Sequence, residues 1–224
     1  MRQLEESVTR PKTAIASLII STFACAIAST PAFAAAQWFV GGSSFSGTES
    51  TESKSTGAFK LSGKIGKIKT VVSCSAAKAT GTITENTKDT ASAGLELSGC
   101  SVPEPTGCKT TEAPKTVALA STIATVEESK IYDTIEPKSG SAFLTIFISG
   151  ISCAIEGSYE LAGSIRCEIP EPTVQAATKD CVSSSTTGSK LKLGSNETQP
   201  EVTLATTLTG TNKEQPWAPA AKAL

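Results

Sequence analysis

The sequence predicts an all-β fold, an antiparallel β-barrel or a β-sandwich of roughly ten to twelve short strands cross-linked by disulfides. Three observations support this prediction. Apolar and polar residues alternate along several segments, which is the pattern of a half-buried strand. No segment shows the 3.6-residue period of an amphipathic helix. Six cysteines follow a predicted export signal, so they are expected to form disulfides.

Residues 1–34 have the three-part pattern of a secretory signal peptide. Three basic residues precede an apolar run at 14–28, and Ala32-Phe33-Ala34 supplies the small residues that precede a cleavage site. We therefore predict cleavage between Ala34 and Ala35. A lipid anchor on Cys25 is the less favoured alternative, because Thr22 lies where such an anchor would require a large aliphatic residue. The product is expected to be secreted or extracellular, with cell-wall association as a further option. No later apolar run is long enough for a membrane-spanning helix, so the mature chain is expected to have no membrane span.

Residues 35–224 are predicted to form a single secreted β domain. This part contains 17 Lys and Arg against 19 Asp and Glu, so its charge gives no reason to expect a nucleic-acid partner. Leu, Ile, Val and Phe account for 37 of its 190 residues, which predicts a lean hydrophobic core. Disulfides would therefore contribute strongly to stability.

Alternation assigns the individual strands in chain order. The inward-facing positions are predicted at Phe59, Leu61, Gly63 and Ile65; Leu95 and Leu97; Val117, Leu119 and Ile123; alternate residues from Tyr159 to Ile169; and Val202, Leu204 and Leu208.

Other segments break this alternation. The segment from Phe143 to Ile148 is apolar on both faces and is expected centrally or across a closed core. Gly66-Lys67 is expected to form a tight turn or bulge. Gly42 to Gly57 is expected to be a flexible loop, and Gln215 to Leu224 a frayed tail.

The six cysteines allow 15 pairings, and spacing only biases the choice among them. Two of the favoured pairs bracket short proline-bearing connections, and the third follows by elimination. The predicted disulfides are Cys100 with Cys108, Cys167 with Cys181, and Cys74 with Cys153.

Trp38 and Trp217 are expected on strands or strand ends near one another, because sequence-terminal strands commonly close a barrel or share a sheet edge. The alternative is that the two tryptophans are unrelated and that Trp217 belongs to a frayed tail.

The residue types exclude most catalytic and metal-binding interpretations. The chain has no histidine, so no Ser-His-Asp or Cys-His constellation can form, and no Cys-x-x-Cys pair suggests a zinc site. We therefore predict no catalytic, cofactor-binding or metal-binding residues, no cofactor, and a protein that is not an enzyme. The remaining catalytic alternative is a glycoside hydrolase with two carboxylates. Its candidate residues would be Asp133, Glu136, Glu156, Glu160 and Glu168.

Two non-catalytic functions remain. The preferred one is an interaction or structural module whose partner is a cell-wall polymer or another surface protein. The second is a carrier that holds a small apolar ligand inside a β-barrel. Gly63, Gly81 and Gly163 would leave room for such a ligand, although inward glycines also serve close strand packing.

Several short segments together resemble one group of proteins. They include Trp38-Phe39-Val40-Gly41-Gly42, Gly81-Thr82-Ile83 after Cys74, Leu97-Ser98-Gly99-Cys100, and the run from Cys153 to Tyr159. In these segments the chain resembles uncharacterised small secreted β-rich proteins of soil actinobacteria. The resemblance implies secretion and a β-rich fold but no activity, and Cys167 and Cys181 are additions to that group's usual pattern.

Overall fold

The structure is a computed structural model that describes residues 36–85, 88–91, 94–126, 130–170 and 176–221. The predicted signal peptide and its cleavage position at Ala34 and Ala35 lie outside these residues. The described residues contain strands and no helix, which confirms the all-β prediction, and they belong to one compact unit. No helix in the described ranges has the length and apolar character needed to cross a membrane.

Seventeen strands occur in the described residues: β1 Ala36–Val40, β2 Ser43–Ser44, β3 Thr48–Ser55, β4 Phe59–Ile65, β5 Ile68–Thr84, β6 Lys88–Ala91, β7 Leu95–Glu104, β8 Lys109–Thr110, β9 Lys115–Thr116, β10 Leu119–Val126, β11 Lys130–Pro137, β12 Ala142–Ser149, β13 Gly157–Ile169, β14 Thr178–Ser183, β15 Lys190–Leu193, β16 Asn196–Leu208 and β17 Trp217–Ala221. This number exceeds the ten to twelve short strands that were expected. Three strands are long, with 17 residues in β5 and 13 each in β13 and β16, whereas β2, β8 and β9 have two residues each. A two-residue strand is too short to show alternation in the sequence.

The three long strands pair with different neighbours along their two halves, and this closes the sheet twice. The C-terminal halves of β5, β13 and β16 complete an antiparallel ring in the order β5-β3-β16-β14-β13-β11-β10-β6-β5. Their N-terminal halves complete a second ring in the order β5-β4-β16-β15-β13-β12-β9-β7-β5. The fold is therefore a barrel of two stacked rings, and of the two predicted architectures the barrel is the one observed.

The predicted inward faces of the long strands are confirmed, whereas Val117, between β9 and β10, was predicted to face inward and is exposed. Leu161, Ile165, Cys167 and Ile169 of β13 are buried, as are the predicted leucines and valine of β16. The β4–β5 hairpin turns at Gly66-Lys67 as predicted, with Ile65 opposite Ile68. The apolar segment in β12 differs from its prediction at one position, because Phe147 is exposed while the other residues from Phe143 to Ile148 line or flank the core.

A separate three-stranded sheet, β17-β1-β2, covers the end of the first ring, which we call the capped ring. Trp38 and Trp217 lie on its paired strands, with the centroids of their indoles 5.0 Å apart, and the predicted proximity of the two tryptophans is confirmed. Both tryptophans pack with isoleucines from the strands of the capped ring, including Ile83, Ile123 and Ile169. Buried apolar area of this kind is the main stabilising contribution to the cap.

The two predictions of disorder are wrong in the described residues. Residues 217–221 form β17 instead of a frayed tail, because Trp217 and Ala218 are buried against the capped ring. Residues 48–55 form β3, which pairs on both edges with β5 and β16. A strand made of Thr, Ser, Glu and Lys has no hydrophobic alternation, so composition alone favours a loop. Glu49 of this strand is buried and accepts two hydrogen bonds from Asn212, at 3.1 Å and 2.8 Å.

Two of the predicted disulfides are wrong. Cys74 pairs with Cys100, since the two residues are direct cross-strand neighbours in β5 and β7, with a Cα–Cα distance of 3.8 Å. Cys108 pairs with Cys153 across a Cα–Cα distance of 4.7 Å. A disulfide requires Cα atoms within about 7 Å. The register between strands decides which cysteines come that close, and it does not follow their closeness in the sequence.

The third predicted disulfide agrees with the structure. Cys167 of β13 is bonded to Cys181 of β14, with a Cα–Cα distance of 5.3 Å. The bond closes the capped ring where β13 and β14 pair through Glu168 and Val182.

Candidate functional site

A cavity of about 110 Å³ lies inside the capped ring. It is bounded by residues of seven ring strands, while Phe59, Leu95 and Phe143 of the second ring form its floor and Trp38 and Trp217 lie at its capped end. Its lining is mainly apolar. Other apolar lining residues are Ile83, Leu119, Ile135, Ile165, Ile169, Val202 and Leu204.

The inward glycines divide into two groups. Gly81 lines the cavity, as the carrier hypothesis expects. Gly63 and Gly163 instead serve close strand packing. A Cβ atom at Gly63 would meet Thr198, and one at Gly163 would collide with the backbone carbonyl of Lys190. Gly163 also has a φ of 114°, which side chains of L-residues rarely adopt.

One wall of the cavity carries hydroxyl groups. Thr51, Ser53 and Thr206 line it from β3 and β16, and the Ser53 and Thr206 hydroxyls are hydrogen-bonded at 2.7 Å. Because these two hydroxyls bond to each other across adjacent strands, they make the wall more polar and neither is left without a hydrogen-bond partner.

Asp133 places a carboxyl group in this mainly apolar cavity. On β11 it occupies the inward position between buried Ile131 and partly buried Ile135. Alternation normally requires an apolar residue there. In the run Ile131-Tyr132-Asp133-Thr134-Ile135 the charged residue shares the face of the two isoleucines. An acidic residue at an apolar position of an alternating strand is the feature of the sequence that could have distinguished Asp133 from the other candidate carboxylates.

The environment of Asp133 disfavours its charge. Burial raises the pKa of Asp133 from 3.8 to about 6, and a hydrogen bond from the Ser121 hydroxyl opposes that rise. Oδ1 of Asp133 has no accessible surface and no hydrogen-bond partner among the described residues. The residue as a whole retains some accessible surface, and it lines the cavity.

Asp133 also lies beside the Cys167–Cys181 disulfide. The carboxylate and the two sulfur atoms lie within 4.8 Å of one another. The two sulfurs are bonded to each other. The cluster therefore lacks the thiolates that a metal ion would need.

Lys179 is the second ionisable side chain buried at this cavity within the described ranges. It lies on the inner face of β14, whereas its neighbour Asp180 is exposed. Burial and Ser121 are the causes of the shift in the Asp133 pKa, and Lys179 is not among them.

The other candidate carboxylates are not brought to the cavity. Glu136, Glu156 and Glu160 are exposed. Glu168 forms an ion pair with Lys130, with a distance of 3.3 Å between Nζ and Oε1. None of these four residues lines the cavity, so the structure does not pair any of them with Asp133 there.

Comparison with known proteins gives no match, whether with protein families, curated proteins or solved structures. The site must therefore be interpreted from its own chemistry. It offers a small, mainly apolar space with one buried carboxyl group, which suits binding of a small molecule better than hydrolysis by two carboxylates.

Proposed function

We propose that this protein is an exported, non-catalytic binding protein that carries a small, largely apolar ligand inside the capped ring. The observation that supports this proposal is the cavity of about 110 Å³ lined by ring strands and by the two tryptophans of the cap. Three disulfides cross-link the domain, and one of them, Cys167–Cys181, joins two strands of the capped ring. Disulfides are common in proteins that work in an oxidising compartment.

The cavity volume limits the size of the ligand. An apolar protein cavity of about 150 Å³ accommodates benzene or xenon. A cavity of about 110 Å³ therefore fits a molecule no larger than benzene. Pockets for drug-sized ligands have volumes of roughly 300–1,000 Å³, so ligands of that class do not fit this conformation.

Tryptophan fluorescence offers a direct test. The chain contains two tryptophans, Trp38 and Trp217, and both line the cavity. Titration of the purified protein with benzene should change the fluorescence to saturation and raise the melting temperature, because a ligand that binds only the native state stabilises it.

A cavity-filling variant makes the test specific. Ala79→Leu adds three carbons at the cavity wall and should abolish the response to benzene. Ala76→Leu adds the same atoms at an exposed position of the same strand and should leave the response intact. The carrier proposal would be wrong if benzene, xenon and 1-butanol all failed to bind the wild-type protein, or if Ala79→Leu bound them unchanged.

A surface interaction module is the second candidate function. It is favoured by exposed apolar side chains on and after β12, namely Phe147 at 42% exposure and Ile151 at 94%. Single exposed apolar residues are common on proteins, so the exposed pair is a weaker observation than the cavity. Specific retention of the wild-type protein on isolated cell walls, lost in the Phe147→Ser/Ile151→Ser variant, would support the module.

A further inference from the structure

We infer that the ligand of the cavity is a small organic cation, an alkylammonium whose nitrogen pairs with the Asp133 carboxylate while its alkyl part contacts the apolar lining. This inference rests on the proposed carrier function and names the chemical class of the ligand. It follows from the position of Asp133, its missing hydrogen-bond partner, and the size of the cavity.

The buried carboxyl group of Asp133 is costly without a partner. Charged groups are rarely buried without a partner, because removal from water is costly unless hydrogen bonds or an opposite charge compensate. Asp133 has a hydrogen bond from Ser121, and its Oδ1 atom has no partner among the described residues. Such an incompletely satisfied carboxyl group on a cavity wall indicates that a ligand donates the missing hydrogen bonds.

A positively charged ligand complements the carboxylate of Asp133. An ammonium group has three N–H donors and no acceptor, so it complements a carboxylate, which only accepts. Hydrogen bonds between charged partners are stronger than neutral ones. Lys179 is the other buried ionisable group at the cavity, and it does not contribute to the shift in the pKa of Asp133.

The carboxyl group of Asp133 can turn toward a ligand in the cavity. Oδ1 itself is enclosed, but the torsion about the Cβ–Cγ bond of aspartate is broad and roughly two-fold. Rotation of the carboxyl group can therefore present either oxygen to a ligand. Around this group the lining is apolar, with Ile135, Ile165 and Ile169 nearby on the same and the adjacent strand. An ammonium ligand with a short alkyl chain therefore complements both the carboxyl group of Asp133 and the apolar lining around it.

The experiment compares three probes of nearly equal size at neutral pH. These are n-butylammonium, 1-butanol and butyrate, titrated into the purified protein and followed by calorimetry and tryptophan fluorescence. We expect butylammonium to bind about tenfold or more tightly than 1-butanol, which is the range expected for a hydrogen-bonded charged partner. Butyrate should bind most weakly, because its carboxylate would face Asp133.

Two variants assign the preference to Asp133. Asp133→Asn keeps the size of the side chain. It should lower the affinity for butylammonium until it is similar to the affinity for 1-butanol. Glu136→Gln makes the same carboxylate-to-amide change on β11, at an exposed residue that does not line the cavity, and should leave the tenfold preference unchanged.

The outcomes separate this inference from the carrier proposal. Equal affinity of the wild-type protein for the amine and the alcohol, or a preference that survives in Asp133→Asn, would overturn the ammonium inference and leave the carrier standing. Binding of none of the probes, nor of benzene, would overturn both.

Discussion

Replacement of Asp133 by asparagine should change how the stability of the protein depends on pH. In the folded protein the pKa of Asp133 is raised from 3.8 to about 6. The folded state therefore binds this proton more tightly than the unfolded state does. The resulting stabilisation is fully present below the unfolded pKa of 3.8 and is lost as the pH rises through about 6.

The size of the effect follows from the shift. One pKa unit corresponds to about 1.4 kcal/mol, so the rise from 3.8 to about 6 corresponds to about 3 kcal/mol. The amide that replaces the carboxyl group would stay neutral at every pH. Asp133→Asn should therefore match the wild-type free energy of unfolding near pH 3.5 and exceed it by up to about 3 kcal/mol near pH 8.

Urea denaturation of the disulfide-intact protein at these two pH values measures the effect. All other carboxylates titrate in both proteins, so their contributions cancel in the comparison. Asp180→Asn is the matched control, since it removes an exposed carboxylate from β14. A difference between wild type and Asp133→Asn that is the same at both pH values would refute the reasoning.

Three further predictions concern the fold and its export. Peptide mapping without reduction should recover the Cys74–Cys100 and Cys108–Cys153 linkages, and recovery of a Cys100–Cys108 peptide would contradict the register of β5 and β7. Trp217→Ala should lower the free energy of unfolding, measured by urea denaturation, by about 3–5 kcal/mol, because it removes a buried indole and its contact with Trp38. A loss below about 1 kcal/mol would show that the cap contributes little to stability. Mass spectrometry of the natively secreted protein should give an N-terminus at Ala35, so that the buried Ala36 of β1 stays in the mature chain. A chain that begins at a lipid-modified Cys25 would refute the predicted cleavage.

The sequence only partly predicts the candidate site. The sequence identifies Asp133 only as one of several candidate carboxylates, although its inward position between Ile131 and Ile135 distinguishes it from Glu160 and Glu168 on polar faces. Which acidic residue faces a cavity depends on the strands that surround it, and Ser121 and Cys167 reach Asp133 from the two neighbouring strands. Side chains from separate strands become neighbours only when the sheet closes.

Local patterns in the chain were enough to predict the all-β class, the inward faces of β13 and β16, and the hairpin at Gly66. These features depend on alternation and on turn chemistry, which neighbouring residues encode directly. The double closure of the barrel, the pairing of Cys74 with Cys100, and the inclusion of the polar strand β3 emerge only in the assembled fold. They depend on register between strands far apart in the chain, and a short polar segment pairs through its backbone whatever its side chains indicate.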